Sequence, residues 1–294
     1  MSCEGPSQGE SRRLSYWQWG RPESAHAVVC VHGLTRQGRD FDVLAEALVN
    51  AAGGNLRVIC PDVAGRGASD WLARPQDYLI PTYVADMVQL LAHLHRQAPL
   101  SVLDWVGTSM GGLIALGLCG TPDLPLPVPV RRLVMNDIGP SIEWDALQRL
   151  RTYVGRMGPY ATEQEAVQAL AAVSASFGPH TPEQWLALSR PMLRPLPEGG
   201  VRLHYDPAIA VPYESLTEEV ARQAEGAMWA LWDRITAQTL LVRGAESDLL
   251  SAQTARAMTQ RGPRARLVEF AGVGHAPTFV PHDQVEAAVS FLLS

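Results

Sequence analysis

The stretch Ser101-Val102-Leu103-Asp104-Trp105-Val106, followed by Gly107-Thr108-Ser109-Met110-Gly111-Gly112, decides the fold. Its first half reads as a buried strand, and its second half sets a serine between glycines where that strand turns into a helix. G-x-S-x-G at such a junction is the pattern of a nucleophile elbow. The turn is so tight that side chains two residues either side of the serine would collide. Glycine at Gly107 and Gly111 removes the Cβ atoms that would clash and relaxes the dihedral limits. Ser109 Oγ is then expected at the tip of the turn, open to a base and a substrate. Chance supplies the motif in roughly one chain in ten of this length and composition, so context must decide. The competing reading is a glycine-rich connection whose serine merely caps the helix.

On either side of this stretch, β-rich runs alternate with helix-length segments, as in a mostly parallel sheet covered on both faces by helices. Residues 14–19 read as an antiparallel edge strand. Ala27-Val28-Val29-Cys30-Val31 is an apolar run suited to a strand buried on both faces, and it ends in His32-Gly33-Leu34. Asp40 is expected to cap a helix reaching about Ala51. A strand at residues 57–60 ends in Pro61-Asp62, and a helix over 82–95 carries the stripe Val84, Met87, Val88, Leu91 and Leu94. After the elbow helix, residues 130–135 read as a strand ending in Asn136-Asp137.

The alternation then stops. Residues 138–234 hold four helix-like segments, at 143–157, 162–177, 182–189 and 217–232, with an irregular, proline-rich stretch between the last two. Strands resume at 239–243 and 265–270, and an amphipathic helix over 284–293 closes the chain. An all-helical insert late in such a series is expected to sit over the carboxyl ends of the strands, where open α/β sheets bind ligands. The domain reading is therefore a core of 1–137 and 235–294 with a helical cap of 138–234.

Bulk properties exclude several classes. The chain has 294 residues, 47% hydrophobic and 18% charged, with a net charge of −6. Its mean hydropathy of −0.02 is that of an ordinary globular protein. The acidic balance offers nothing to a phosphate backbone, so no nucleic-acid partner is expected. No apolar run approaches the ~18 residues of a membrane span. Residues 1–13 lack the apolar core of a secretory signal and read as a frayed leader. The four cysteines, Cys3, Cys30, Cys60 and Cys119, show neither C-x-x-C spacing nor a disulfide framework. The last three read as small core residues, and a reducing, cytoplasmic setting is the default. The histidines show no ligand spacing, so no metal and no cofactor are expected. Oligomeric state is not legible.

Two residues fall at strand ends on the same rim as Ser109. His275 lies in Gly272-Val273-Gly274-His275-Ala276-Pro277, after the last strand. Asp248 lies in Arg243-Gly244-Ala245-Glu246-Ser247-Asp248, after the strand before it. Serine, acid and histidine in that chain order suit the elbow. A serine hydroxyl needs a base within hydrogen-bond reach, imidazole can take and return the proton, and a buried carboxylate fixes the ring's tautomer. The acid is assigned to Asp248, with Asp137 as its competitor and Glu246 as the remaining candidate. The backbone N–H groups of Leu34 and Met110 are the expected oxyanion donors, the latter aided by the helix dipole. The His32 side chain reads as structural, tying two loops together.

These residues together resemble the α/β-hydrolase family. His32-Gly33, the segment Pro61-Asp62-Val63-Ala64-Gly65-Arg66-Gly67-Ala68-Ser69-Asp70, the elbow, and the pair Asp248 and His275 carry the resemblance over nearly the whole chain. It implies an eight-stranded sheet with the cap inserted after the sixth strand, and a structural role for residues 61–70. Ser109 argues against haloalkane dehalogenases and epoxide hydrolases, which place aspartate at the elbow. Carbon–carbon hydrolases of ring-cleavage products typically carry tryptophan after the histidine, where this chain has Ala276-Pro277. Cofactor-free haloperoxidases and serine acyltransferases share the triad and stay open. The expected activity is that of a capped carboxylesterase on a small or medium acyl ester. In the cap, Trp144, Tyr153, Phe177, Trp185, Tyr205, Tyr213, Trp229 and Trp232 are candidate pocket walls, with helix-packing core the favoured role for most. Arg190, Arg194 and Arg202 are candidate partners for a substrate carboxylate, with a solvated face the favoured reading.

Overall fold

The computed structural model describes residues 1–4 and 11–294. In chain order its strands and α-helices are β1 (Ser2–Glu4), β2 (Ser11–Arg13), β3 (Tyr16–Gly20), β4 (His26–Val31), α1 (Asp42–Ala51), β5 (Arg57–Pro61), α2 (Ile80–Gln97), β6 (Val102–Thr108), α3 (Met110–Gly120) and β7 (Val130–Asn136). Then follow α4 (Trp144–Tyr153), α5 (Glu163–Val173), α6 (Pro182–Ser189), β8 (Leu193–Pro195), β9 (Val201–Leu203), α7 (Val211–Glu214) and α8 (Glu218–Trp232). The chain finishes with β10 (Gln238–Gly244), α9 (Ala252–Gln260), β11 (Arg266–Phe270) and α10 (His282–Leu293).

Seven strands form the main sheet in the order β11-β10-β7-β6-β4-β5-β3. Every pairing in it is parallel except that of the edge strand β3 with β5. Alternation along the strands feeds two cores. Val28, Cys30, Val58 and Cys60 face Leu44 and Leu48 of α1 and Ala288 and Leu292 of α10. Val29, Val31, Ile59 and Trp105 face Met87, Leu91 and Leu94 of α2 and Ile114 of α3. Strands buried on both faces are therefore apolar nearly throughout, which is why they read as continuous runs.

The expected eighth strand is not present among the described residues, and the helical insert follows the fifth strand of the main sheet, not the sixth. The segment at the N-terminus takes a different course. β1 and β2 pair only with each other, Ser2 opposite Arg13, in a separate antiparallel ribbon. This ribbon lies against α2, with Cys3 buried and the Glu4 N–H donating to Gln89 Oε1 at 2.7 Å. The frayed-leader expectation is thus corrected for residues 1–4 and 11–13, while residues 5–10 lie outside the described residues.

Smaller differences have local causes. Asp40 does not cap α1; it pairs with Arg36, and a 3₁₀ turn over Gly38–Phe41, capped by Gln37, leads into the helix. The proline-rich stretch before α8 contains the β8–β9 hairpin and the short α7. Buried residues of 138–234, among them Val154, Leu170, Met192 and Trp232, join the same core as α2 and α3, so the insert has no separate core. Gly120 shows how close α3 and α8 run, since a Cβ there would lie 2.4 Å from Leu231 O. All four cysteines are free, and no helix among the described residues is long and apolar enough to cross a membrane.

One buried ion pair anchors the N-terminal ribbon. Arg12 of β2 bonds Asp86 of α2, with 5% and 0% of the two side chains exposed. Burial raises the Asp86 pKa to about 6 even against the pull of the Arg12 guanidinium. Removing one partner strands the other charge, whereas replacing both with apolar groups does not. Asp86→Ala is expected to cost about 3–5 kcal/mol of stability, most of it regained in an Arg12→Met/Asp86→Leu double variant. Urea unfolding at neutral pH checks both.

Candidate active site

The elbow forms where β6 ends. Ser109 adopts φ 51° and ψ −115° and makes no side-chain bond that caps α3, so its hydroxyl is free of the helix. A Cβ at Gly107 would lie 2.4 Å from Gly111 O, and one at Gly111 would lie 2.0 Å from Val31 O. Both obstacles are backbone and cannot yield, so these glycines are sterically required. Gly33 is different: a Cβ there would meet Ser109 Cβ at an ordinary 3.7 Å.

The structure brings His275 to the serine. His275 Nε2 lies 2.9 Å from Ser109 Oγ, and its Nδ1 lies 2.8 Å from Asp137 Oδ2. Asp137, the first residue past β7, is fully buried with φ 55°. Its carboxylate also accepts from the Gly244 N–H at 3.0 Å and the Ser247 hydroxyl at 2.6 Å. These donors offset the cost of burying the charge.

Asp248 does not reach His275. It pairs with Arg149 of α4, Nε to Oδ2 at 2.7 Å, with 46% of its side chain exposed. The physical reason is the turn after β10, closed by the Ser247 N–H on Gly244 O, which sends Asp248 outward. Nor does Asp248 cap α9, a role taken by Ser251. Glu246 is exposed. In the sheet, β7 lies beside β6, which carries the serine, and the loop after β11 passes over the end of β10 at Gly244 to reach the end of β7, where Asn136 Nδ2 donates to Pro277 O at 2.8 Å. The signal in the sequence was Asp137 itself at a strand end; only the path of the histidine loop over the end of β10 and the outward turn after Gly244 rank it above Asp248.

Leu34 and Met110 line one cavity with Ser109. The Met110 N–H is among the first of α3, which find no partner inside a helix. The Leu34 N–H donates to no other group among the described residues. Sequence reasoning missed what holds these two. Arg66, fully buried, donates through Nε to Leu34 O at 2.8 Å, through Nη1 to Tyr83 Oη at 2.8 Å, and contacts Met110 Sδ at 3.4 Å. It also missed Asn136, whose amide joins Thr108 Oγ1 to Pro277 O, and Ser176, whose hydroxyl donates to His275 O at 2.6 Å.

Ser109 stands between a cavity of about 690 Å³ and a pocket of about 80 Å³. Trp144 and Tyr213 line the larger space, while Tyr153, Phe177 and Tyr205 line the smaller. Trp232 is core, Trp185 stacks on Phe177, and Trp229 donates to Ser141 Oγ. Arg190 pairs with Glu163, and Arg194 and Arg202 line a separate cleft beside Trp71, so none of the three reaches the serine's cavity. Among the described residues no group of three or more His, Cys, Asp or Glu side chains is placed to hold a metal ion.

A sheet of this order, an elbow serine and a histidine–aspartate pair on one rim define a class, and comparison with known proteins agrees. The model of the alpha/beta hydrolase family matches residues 28–288, and the chain belongs to that family. It is 46% identical to the 3-hydroxybutyrate-oligomer hydrolase of Cupriavidus necator over 284 residues, 95% of this chain and 92% of that protein. Among solved structures, an alpha/beta hydrolase from Novosphingobium aromaticivorans is 32% identical with a TM-score of 0.82, covering 100% of this chain and 97% of the other. A putative hydrolase from Rickettsia typhi is 26% identical with a TM-score of 0.83, covering 96% and 92%.

His32 shows how the Leu34 loop is fixed. It is fully buried, its Nε2 accepts from the Val63 N–H at 3.0 Å, and its Nδ1 lies 2.7 Å from Gly33 O. Burial, with Arg66 and Arg36 nearby, lowers its pKa from 6.5 to about 3. The unfolded chain therefore binds a proton here that the folded chain refuses, and His32 adds stability above pH 6.5 that is lost as pH falls towards 3. His32→Asn is expected to flatten the dependence of stability on pH in that window by about one proton, or ~1.4 kcal/mol per pH unit. Urea unfolding across a pH series reads this slope.

Proposed function

We propose that the chain is a serine ester hydrolase that works through an acyl-enzyme on short linear oligoesters of 3-hydroxy acids. The observation that carries the chemistry is His275 held between Ser109 Oγ at 2.9 Å and Asp137 Oδ2 at 2.8 Å. With the Nδ1 proton directed at Asp137, Nε2 presents its lone pair to the serine hydroxyl. Ser109 attacks the ester carbonyl and its proton passes to His275, whose developing charge Asp137 stabilises. The N–H groups of Leu34 and Met110 hold the oxyanion. Collapse breaks the bond to the alcohol oxygen, which takes the proton from His275. A water, deprotonated by the same nitrogen, then releases the acid.

The substrate class rests on the Cupriavidus relative, whose likeness spans nearly the whole chain. The cavity suits it. A volume of about 690 Å³ falls within the usual range for small-molecule sites, and Leu113, Ile142, Leu147 and Met228 give it apolar walls for an aliphatic chain. In this reading residues 138–234 are the cap that closes the site.

Ser109→Ala is expected to abolish turnover of p-nitrophenyl butyrate and labelling by an organophosphonate. Asp137→Asn should lower kcat on the order of 10⁴-fold, the effect of losing the acid that fixes a histidine's tautomer. Asp248→Asn should stay close to wild type, since an exposed ion pair contributes under about 1 kcal/mol. Steady-state kinetics of the two aspartate variants decide the acid; the larger loss in Asp248→Asn would reverse the assignment.

A further inference from the structure

Beside the serine's cavity lies a side pocket of about 390 Å³. Leu34, Leu150 and Tyr213 wall both spaces, so the pocket adjoins the site at the loop that carries the Leu34 N–H. Three charged side chains line it: Arg151, Arg156 and Glu214. Arg151 is committed to the fold. Its guanidinium donates through Nε to Tyr213 O at 2.7 Å, also reaches the Leu216 and Glu214 carbonyls and Gln148, and lies over the Trp144 ring. Arg156, just past the end of α4, is exposed and forms no side-chain hydrogen bond or ion pair among the described residues. Two guanidinium groups and one carboxylate thus line the pocket, and the Arg156 guanidinium has all its donors free among the described residues.

We propose that this side pocket is a subsite for the free carboxylate of the substrate's leaving group, with Arg156 as its specificity-determining residue. The inference rests on the oligoester reading above. In an oligomer of a 3-hydroxy acid, the unit released as alcohol from the terminal ester is itself a hydroxy acid, ionised at neutral pH. Its carboxylate lies only three carbons, counting its own, beyond the ester oxygen, and the side pocket that shares Leu34, Leu150 and Tyr213 with the serine's cavity is the adjoining space in which a cation is available to it. The apolar acyl part extends into the 690 Å³ cavity. When the bond from carbonyl carbon to alcohol oxygen breaks, the alcohol oxygen takes its proton from His275, and the hydroxy acid leaves through the side pocket. Planar, bidentate recognition of a carboxylate is what arginine does best. Glu214 opposes binding, and its repulsion keeps product release from being slow.

The test compares the 3-hydroxybutyrate dimer as free acid with the same dimer as its methyl ester. Wild type is expected to show a KM about 10-fold or more lower for the free acid, the range of a charge-assisted hydrogen bond. Arg156→Gln should erase that ratio, Arg156→Lys should keep part of it, and Glu214→Gln should enlarge it by lowering the free acid's KM. Equal KM values in wild type, or an unchanged ratio in Arg156→Gln, would overturn the subsite. Failure of wild type to cleave either dimer, with p-nitrophenyl butyrate still turned over, would overturn the oligoester reading and this inference with it.

Discussion

Everything at the site follows from how close α3 comes to the end of β4. A Cβ on Gly111 would sit 2.0 Å from Val31 O, and a Cβ on Gly112 would sit 2.2 Å from Ile138 Cγ2. At Gly111 backbone meets backbone and at Gly112 it meets a buried side chain, so the helix can start only at this place and angle. Val31 is the residue before His32-Gly33-Leu34. The contact that turns Ser109 outward therefore also lays the N-terminus of α3 beside the Leu34 loop. Ser109 and the N–H groups proposed to hold an oxyanion are set by one steric constraint, with the positive end of the helix dipole falling at the same point.

Such closeness must be backed by polar groups that are fully used, since an unpaired one at this depth costs more than a good one contributes. His32 is held neutral and spends both nitrogens on backbone. Arg66 spends its guanidinium on Leu34 O, Ala64 O and Tyr83, with its plane 5.1 Å from the Tyr83 ring centroid. Asp62 underpins residues 61–70 by accepting from the Gly38 and Ala68 N–H groups. These residues touch no reacting atom. They make the Leu34 loop rigid, and rigidity is what a preorganised donor requires.

What could be read from the chain was what is local. The elbow, the alternation of strands and helices, the helix starts near 162 and 217, and His275 after the last strand all depend on residues near one another in sequence. The carboxylate partner of His275 was not legible for the opposite reason. Asp137 and His275 are 138 residues apart, and what joins them is the path of the loop after β11, which passes over the end of β10 to reach that of β7. Asp248 sat in an equally good position by chain order, and only the turn at Gly244 sends it away. The N-terminal ribbon was hidden similarly, because Arg12 finds its partner on α2, which the local pattern around it cannot reveal. Of the two readings open for the arginines of the insert, the structure does not bear out the one at the serine's cavity: Arg194 and Arg202 face each other across β8 and β9 at a different cleft.

The insert is tied to the base more firmly than a covering layer needs to be. Ser176 donates its hydroxyl to His275 O while its own carbonyl accepts from the Gly274 N–H, both at 2.6 Å. Four residues on, His180 Nε2 lies 2.8 Å from Thr278 Oγ1. Between them Phe177 walls the small pocket that Ser109 and His275 share. One short segment thus shapes the pocket and braces the loop that presents the imidazole. A large displacement of this segment would take the base out of register with Ser109, since the 2.9 Å contact between them tolerates little movement. Pocket wall and imidazole form a single mechanical unit, so a substitution in residues 174–180 reaches the His275 loop as well as the shape of the pocket.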